Sequence, residues 1–306
     1  MSNIRKKFAE TAFEIAKNDK KIVVTVADIS HGLFKSFREK FPKRYYNIGI
    51  CEQGMVNLAA GLAKSGLNPI VHTIAPFITE RAYEQIKLDF GYQKEGINLV
   101  SIGGSFDYSK LGCTHHCYTD ISLFSHFKNS IIIIPGSEEE FSILFKKVYK
   151  KKLIKYFKIP NKSHLIPIKK KEIKLGKAVK LTKGKDLTIA VTGTQLNNVM
   201  KVHKILESKG IQVEVIYFHT IKPFDHLTLK NSVRKTKKLI TVEELSQHGG
   251  IYSESLKHIY QINNLKVRQI AINDFIRNYG SYENLCDVAG LNVSNIFKNC
   301  MNIIKK

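Results

Sequence analysis

Short apolar runs rich in β-branched residues alternate with helix-length segments along the first 160 residues, and this alternation constrains the fold more than any other feature. The run 21–27 (KIVVTVA) is typical, because its side chains suit a strand covered by helices on both sides of a parallel sheet. The predicted strands are 21–27, 68–74, 97–102, 130–134 and 153–159, and the predicted helices are 5–18, 52–65, 78–92 and 137–149. The pattern predicts an α/β domain with a doubly wound parallel sheet.

A second, smaller α/β unit is predicted beyond a lysine-rich stretch. The chain has 306 residues, more than one compact core usually holds. Residues 161–186 are rich in lysine and contain Gly176 and Gly184, which indicates a basic linker with room for a short hairpin. The alternation resumes at Leu187, so we predict one domain at 1–160 and another at 187–306.

The formal net charge of +23 leaves three interpretations open. Clustered Lys and Arg neutralise phosphates in nucleic-acid-binding proteins, and a basic surface also suits an acidic partner subunit. Here the excess is almost entirely lysine, spread along the whole chain without a recognition-helix, finger or RNA-binding signature. A solvated basic surface is therefore favoured, and we expect no nucleic acid as a partner.

The sequence also predicts neither a membrane span nor a secretory signal. No apolar run approaches the roughly 18 residues that span a bilayer, and the basic start is not followed by a continuous apolar stretch and a cleavage site. The five cysteines are an odd number scattered through a large chain, which indicates reduced thiols and not a disulfide framework. We therefore expect a cytoplasmic protein.

Ligands of doubly wound sheets bind at the carboxyl ends of the strands, so the loops that follow strands are the places to search. The first such loop, 47–53 (NIGICEQ), places Glu52 where a strand leads into a helix. Taken alone, Glu52 fits a first-turn carboxylate stabilised by the helix dipole. The second loop leads to Phe77, Arg81 and Tyr83. The rings of Phe77 and Tyr83 fit core packing as well as stacking on a flat ligand, and Arg81 fits a surface or dimer contact as well as a cofactor contact.

The third loop, 103–120, is long and glycine-rich, as functional loops often are. Within it, Cys113, His115, His116 and Cys117 are residue types that bind zinc. Adjacent histidines flanked by cysteines give poor tetrahedral spacing, and the sequence has no second CxxC or HxxxH pair. We therefore predict that this chain holds no metal of its own.

Several of these segments occur together in one known family, the transketolases. The resemblance covers essentially the whole chain and is strongest to the C-terminal sections of split transketolases. It extends to 1-deoxyxylulose-phosphate synthases and to the β subunits of 2-oxo-acid dehydrogenases. The segments similar to the pyrimidine-binding domain are 27–30 (ADIS), 40–71 (containing GICEQGM), 77–86 (FITERAYEQI) and 112–116 (GCTHH), and those similar to the C-terminal domain are 237–251 and 275–291.

This resemblance implies a thiamine-diphosphate site in which Glu52 hydrogen-bonds N1′ of the aminopyrimidine. A carboxyl group is needed because sharing a proton with N1′ favours the imino tautomer, whose exocyclic nitrogen takes the thiazolium C2 proton. Phe77 is implied to stack on the pyrimidine, and His115 to give a proton or hydrogen bond to the reacting carbonyl. The other residues implied are Asp28, Ile29, Arg81 and Tyr83 for the cofactor, and for the substrate Lys158 and His116, which also fits a loop-structuring role.

Three positions depart from the family pattern. Transketolases have a donor-contacting histidine and aspartate where this chain has Gly103 and Leu111, and their substrate-phosphate arginine is missing from the stretch ending at Asn161. Lys158 or Lys162 offers a point charge for phosphate, without the bidentate geometry of arginine. The departures predict a different donor or acceptor, or a chain that has lost activity.

The sequence also lacks the Gly-Asp-Gly segment with which this family binds magnesium and the diphosphate on a separate N-terminal domain. The resemblance therefore implies a partner subunit that carries this site and holds most of the magnesium contacts. It further implies an assembly of two plus two chains (α2β2), or a homodimer of this chain.

We accordingly predict one subunit of a split, thiamine-diphosphate-dependent enzyme of the transketolase type. It would transfer a two-carbon ketol, or a related acyl unit, between carbonyl compounds or sugars. Two alternatives remain, the β subunit of a 2-oxo-acid decarboxylating enzyme and a non-catalytic scaffold. The EQ-x-M and ERAYEQI segments favour transketolase, and a scaffold needs none of Glu52, Phe77 and His115.

Overall fold

Two sheets with helices on their faces form the protein, in a computed structural model that describes residues 4–305. The strands are β1 Ile22–Val26, β2 Tyr45–Asn47, β3 Asn68–Ile74, β4 Ile97–Ile102, β5 Ser130–Ile133, β6 Ile154–Ile159, β7 Val179–Lys180, β8 Leu187–Val191, β9 Val213–Tyr217, β10 Thr220–Lys222, β11 Lys238–Ser246 and β12 Lys266–Ile272. The helices are α1 Ile4–Asn18, α2 Lys35–Lys40, α3 Glu52–Lys64, α4 Tyr83–Gln85, α5 Asp120–Ser125, α6 Glu138–Val148, α7 Leu196–Glu207, α8 His226–Thr236, α9 Ile251–Ile259, α10 Tyr282–Val288 and α11 Val293–Lys305. Two parallel-dominated sheets confirm the predicted α/β class.

The first sheet has seven strands in the order β10-β5-β6-β4-β3-β1-β2, parallel except for β10. All five predicted strands of the first domain are present. Strand β2 was missed because its three residues lie at the sheet edge with only Tyr45 buried, so no apolar pattern marks it. Strand β10 comes from the second half of the chain and runs antiparallel to β5, with Thr220 opposite Ile133. One sheet is therefore built by both halves.

The second sheet has five strands in the order β12-β11-β8-β9-β7. Strand β7 lies inside the predicted linker and pairs antiparallel with β9, Val179 opposite Tyr217, so it forms no hairpin within the linker. The pairing buries Val179 and continues at Leu181, whose N–H donates to the carbonyl of Val215. We therefore propose that the second unit begins before Leu187.

The helix predicted at 78–92 is present but is not a regular α-helix. Two π-helical stretches, Phe77–Arg81 and Ile86–Tyr92, flank the single α-turn of α4. Insertions of π geometry are frequent at functional sites because they redirect side chains. In this segment the wider winding brings Arg81 over the ring of Phe77.

Buried apolar side chains cover both faces of the first sheet. On one face α1 and α6 pack together, with the rings of Phe8 and Phe141 5.6 Å apart. The cluster on the other face includes Met55 of α3 and also Phe218 and Ile221 from the second half of the chain. The two halves thus share a core. Among residues 4–305, no helix combines the length and the apolar character required to cross a membrane.

Candidate active site

The carboxyl ends of β1, β3 and β4 meet at one edge of the first sheet because these three strands are adjacent and parallel. The chain leaves β1 at Asp28, leaves β3 towards Phe77 and leaves β4 at Gly103. Helix α3 starts at the same edge with Glu52. The residues singled out in the three loops are therefore brought to one place by the topology.

Glu52 is the first residue of α3, and its side chain is only 2% exposed. Thr73 at the end of β3 donates its hydroxyl to Glu52 Oε1 at 3.4 Å, and Arg81 Nη1 lies 2.7 Å from Oε2. The helix dipole and the guanidinium both favour a negative charge here. A buried carboxylate consequently faces the site with one oxygen directed at a charged nitrogen.

Arg81 lies between Glu52 and the ring of Phe77. Its Cζ is 4.1 Å from the ring centre, in cation–π geometry, while Nη1 bonds to the carboxylate. A guanidinium is a flat group edged with N–H donors, so it stands in for an aminopyrimidine that stacks on Phe77 and bonds to Glu52. The space between these two residues therefore fits the group that the family resemblance implies.

His115 lies on the far side of Phe77, with ring centroids 5.2 Å apart in edge-to-face contact. The side chain is half-buried, and Nδ1 is 3.0 Å from the Thr114 hydroxyl. His115 is therefore free to meet a substrate held beside Phe77.

His116 faces the opposite way. It is buried against Phe106, and neither ring nitrogen has a hydrogen-bond partner among the described residues. Burial, assisted by the neighbouring His115, lowers the pKa of His116, which favours the neutral ring. The geometry suits the loop-structuring role better than substrate contact.

Asp28 and Ile29 follow β1 beside these residues. Asp28 is exposed and in the left-handed region (φ 49°), held by Asn47, whose Oδ1 accepts from the Asp28 N–H at 2.9 Å. Asn47 Nδ2 donates to Asp28 Oδ1 at 3.1 Å, and Ile29 packs half-buried on the core. Both side chains are at the expected edge of the sheet.

Arg5 is a site residue that sequence reasoning missed. Its Nε donates at 2.5 Å to the hydroxyl of Ser30, which bonds at 2.7 Å to His72 Nε2. His72 Nδ1 lies 2.7 Å from the carbonyl of Val100, so Nδ1 carries the proton and Nε2 accepts. Burial lowers the pKa of His72 to about 3, so the ring is neutral. A signal existed, since arginine in a first helical turn opposes the helix dipole.

The terminal nitrogens of Arg5 donate to no other residue in the described part of the chain. This guanidinium therefore supplies an available cation at the edge of the site. Residues 160–186, which follow β6, contain no arginine, whereas Arg5 of α1 lies beside Ser30 after β1.

Tyr83 packs its ring against Phe127, 5.5 Å between centroids, and burial raises its pKa. It belongs to the hydrophobic layer beneath the loop and contacts neither Glu52 nor Phe77 in the structure. Tyr83 is thus on the expected segment but faces the core.

Lys158 is committed to a buried ion pair. Its Nζ is 3.0 Å from Asp120 Oδ1 and 3.1 Å from the carbonyl of Cys117, and Asp120 also accepts from the Tyr156 hydroxyl at 2.6 Å. Moving this lysine to a substrate would leave Asp120 buried without its counter-charge. A substrate-binding role for Lys158 stays a prediction, and in the structure this lysine is bound to Asp120. The other candidate, Lys162, pairs with Glu283 at the surface.

The remaining positions that depart from the family pattern lie in or beside the loop that follows β4. Leu111 is exposed, and the backbone N–H of Asn161 donates to Asp107 Oδ2 at 2.9 Å. In the cysteine-flanked segment, Cys113 is exposed, while Cys117 is buried with its sulfur 3.3 Å from the Thr79 hydroxyl. Over residues 4–305, no three His, Cys, Asp or Glu side chains are grouped as a metal site requires.

Comparison with known proteins covers both halves of the chain. The family model "Transketolase, pyrimidine binding domain" matches residues 1–160, and "Transketolase, C-terminal domain" matches residues 176–296. The second match begins inside the predicted linker, upstream of β7.

Relatives of similar length are themselves subunits. The chain is 30% identical to a subunit of the apulose-4-phosphate transketolase of Phocaeicola vulgatus, over 99% of this chain and 97% of that one. It is 26% identical to a 6-deoxy-6-sulfo-D-fructose transketolase subunit of Clostridium sp., over 96% and 92%. A solved structure described as a split gene transketolase, inactive beta4 tetramer, superposes with a TM-score of 0.87 at 25% identity, over 99% of this chain and 98% of that one. With both family domains matched and the site residues gathered at one edge, the chain belongs to the transketolase family.

Proposed function

We propose that this chain is the pyrimidine-binding subunit of a thiamine-diphosphate-dependent, transketolase-like enzyme. The enzyme transfers a two-carbon ketol, or a related acyl unit, between carbonyl compounds or sugars. One observation carries the proposal. The buried carboxylate of Glu52, at the start of α3, bonds to the flat guanidinium of Arg81, which lies over the ring of Phe77.

When bound, thiamine diphosphate supplies a nucleophilic carbon that attacks a substrate carbonyl. Glu52 Oε2 holds the proton shared with the pyrimidine nitrogen, and burial keeps competing water away from that oxygen. Phe77 offers the face on which the pyrimidine lies, and Asp28 and Ile29 border it. His115, half-buried beside Phe77, donates a hydrogen bond to the substrate oxygen on which charge develops.

A partner subunit completes the site by holding the diphosphate and the magnesium. In support, the described residues group no metal ligands, and the relatives of similar length are named as subunits. The proposed assembly is an α2β2 heterotetramer, with a homodimer of this chain as the alternative. The five free thiols agree with the reducing cytoplasm as its location.

The substrate is a sugar or sugar-like compound with an anionic group. Arg5 offers an unpaired guanidinium beside Ser30, and a guanidinium binds phosphate or sulfonate oxygens in pairs. The two named relatives act on a phosphate and a sulfo sugar according to their names. Replacement of Arg5 by lysine would keep the positive charge but lose the paired hydrogen bonds that a guanidinium makes to one anionic group.

Calorimetric titration of thiamine diphosphate with magnesium into this chain, alone and mixed with its partner subunit, tests the proposal. Binding is expected only in the mixture. Glu52→Gln, which keeps the size but cannot take the proton, should retain cofactor binding and lose turnover by at least about 100-fold. Glu84→Gln, an exposed carboxylate on α4, serves as the control and should leave both unchanged.

Two results would contradict the proposal. Absence of cofactor binding in the mixture would leave the non-catalytic scaffold. An unchanged rate for Glu52→Gln would show that Glu52 does not act on the cofactor as proposed.

A further inference from the structure

Gly103 follows β4 at the carboxyl edge of the first sheet, and its φ of +75° lies in the left-handed region. A Cβ added at this position would lie 2.1 Å from Cε2 and 2.4 Å from Cδ2 of Tyr108. Real Cβ atoms essentially never come so close to another atom. The ring of Tyr108 therefore fills the space that any side chain at position 103 would take.

The ring is held there by the path of the loop. The carbonyl of Tyr108 accepts from the N–H of Leu111 at 2.8 Å, and the N–H of Asp107 donates to the carbonyl of Gly104 at 3.1 Å. These two turns direct residue 108 back towards the end of β4. The path of the loop thus places residue 108 beside the end of β4, where its ring covers Gly103.

Tyr108 also borders the reacting region. Its ring centroid lies 6.1 Å from that of His115, at an interplanar angle of 75°, and His115 in turn contacts Phe77. Tyr108 consequently lies beside the histidine proposed to contact the reacting oxygen.

The hydroxyl of Tyr108 bonds to no residue in the stretch from residue 4 to residue 305, and its oxygen is open to solvent on a side chain that is partly buried. A tyrosine tip of this kind can exchange water for an oxygen of a ligand. Burial raises the pKa of Tyr108, and the nearby Asp107 adds to this, so the phenol keeps its proton. The site thus presents a neutral O–H donor that the protein itself leaves unused.

We propose that Tyr108 is a donor-binding residue: its hydroxyl bonds to a hydroxyl or carbonyl oxygen of the ketol donor while that donor lies against His115. Tyr108 thereby takes over the contact that a side chain at position 103 would otherwise provide. This assignment rests on the proposed function, since it requires a ketol donor at this edge of the sheet.

The test is Tyr108→Phe, which keeps the ring on Gly103 and removes only the oxygen. Assembled enzyme with cofactor and magnesium is assayed with hydroxypyruvate and with xylulose 5-phosphate as donors. We expect kcat/KM for the donor to fall about 10- to 100-fold, the usual effect of losing one such hydrogen bond. The titrated affinity for thiamine diphosphate and the KM of the acceptor should not change. Tyr260→Phe, an exposed ring in the second half, is the control and should match the wild type.

A donor kcat/KM within about twofold of the wild type overturns the assignment, as does an equal loss for donor and acceptor, which indicates a structural role. If the wild-type mixture binds the cofactor but consumes neither donor, the assignment of Tyr108 also fails, because no ketol donor is then bound. If the wild-type mixture binds no cofactor, the proposed function fails first, and the same titration shows this directly. A donor complex with the substrate oxygen in hydrogen-bonding distance of the Tyr108 hydroxyl would support the assignment independently of rates.

Discussion

At the scale of single residues, the site is organised around a carboxylate, a guanidinium and an aromatic ring that occupy adjoining space. In the free protein Arg81 neutralises Glu52 and stacks on Phe77 at the same time. An unpaired buried carboxylate would be costly, so Arg81 stabilises the chain before any cofactor arrives. In the proposed function, the pyrimidine of thiamine diphosphate would take the place of the guanidinium.

Replacing Arg81 by alanine is therefore expected to tighten cofactor binding to the assembled enzyme by about tenfold, because no guanidinium has to be displaced first. Calorimetric titration of the mixture measures this effect. Arg268→Ala, whose side chain bonds Asn299 at the surface, should leave the affinity unchanged. Weaker binding by the Arg81 variant would instead place this residue among the contacts of the bound cofactor.

Lys158 gives a second prediction at this scale. Lys158→Met should lower the free energy of unfolding by about 3–5 kcal/mol, because Asp120 then stays buried without its cation. Lys162→Met breaks only an exposed pair with Glu283 and should cost at most about 1 kcal/mol. Urea unfolding followed by circular dichroism compares the two. Unchanged stability together with a raised KM for a phosphorylated donor would return Lys158 to substrate binding.

At the scale of elements, the loop after β4 also joins the two halves of the chain. Asp107 of this loop lies near Glu244 of β11, and together with Lys158 they line a small cavity between the halves. Glu244 is held by Thr194 and Gln195, whose side-chain donors lie 3.2 Å from Oε2, and by the Tyr282 hydroxyl. Burial, reinforced by the Glu244 carboxylate, raises the pKa of Asp107 to about 8.

A raised pKa in the folded state makes stability depend on pH. Between its ordinary value of 3.8 and about 8, Asp107 holds a proton in the folded protein that the unfolded chain has released. The contribution of this group is full below the ordinary value and is lost as the pH rises through about 8. Asp107→Asn should therefore flatten the fall in stability above about pH 5, and should be more stable than the wild type at about pH 8 by about 1–3 kcal/mol.

Urea unfolding at several pH values measures the slope, and the exposed Asp287→Asn is the control. An Asp107→Asn variant that keeps the wild-type slope would show that another group titrates in this range.

At the scale of the whole molecule, the two halves are tied together by β10. This strand leaves the second half, pairs with β5 at the edge of the first sheet, and buries Ile221 in the core cluster that α3 also lines. The chain is therefore expected to unfold as one cooperative unit, although its sequence resembles two separate domains.

Ile221→Ala tests this coupling. The side chain is 1% exposed, so its truncation should cost about 2–5 kcal/mol and accelerate hydrogen exchange in both β5 and β8. Ile205→Ala on α7 starts from a residue 39% exposed and should cost less than about 1 kcal/mol. Faster exchange confined to one half would show that the halves unfold independently.

Much of the fold followed from local sequence. Residues such as 97–102 predicted a buried parallel strand because β-branched side chains on both faces have no stable place outside a covered sheet. Ser137 and three glutamates predicted the start of α6, where the Ser137 hydroxyl accepts from the Glu140 N–H. Glu52 was singled out because three indications agree: its carboxyl group, its position before an apolar helix, and the family motif. These features depend on residues close together in the chain.

Only the tertiary structure decided the rest, since the deciding contacts join residues far apart in sequence. Strands β2, β7 and β10 are two or three residues long, and what makes them strands is the partner beside them, not their own pattern. Arg5 and Tyr108 are brought beside the proposed site residues by contacts with other elements. Lys158 pairs with Asp120 because both charges are buried, and a buried charge without a counter-charge is costly. The sequence by itself determined most of the elements, the family and the carboxylate that we propose as reactive. The packing of distant segments determined which of the neighbouring side chains face that carboxylate and which are used to hold the fold.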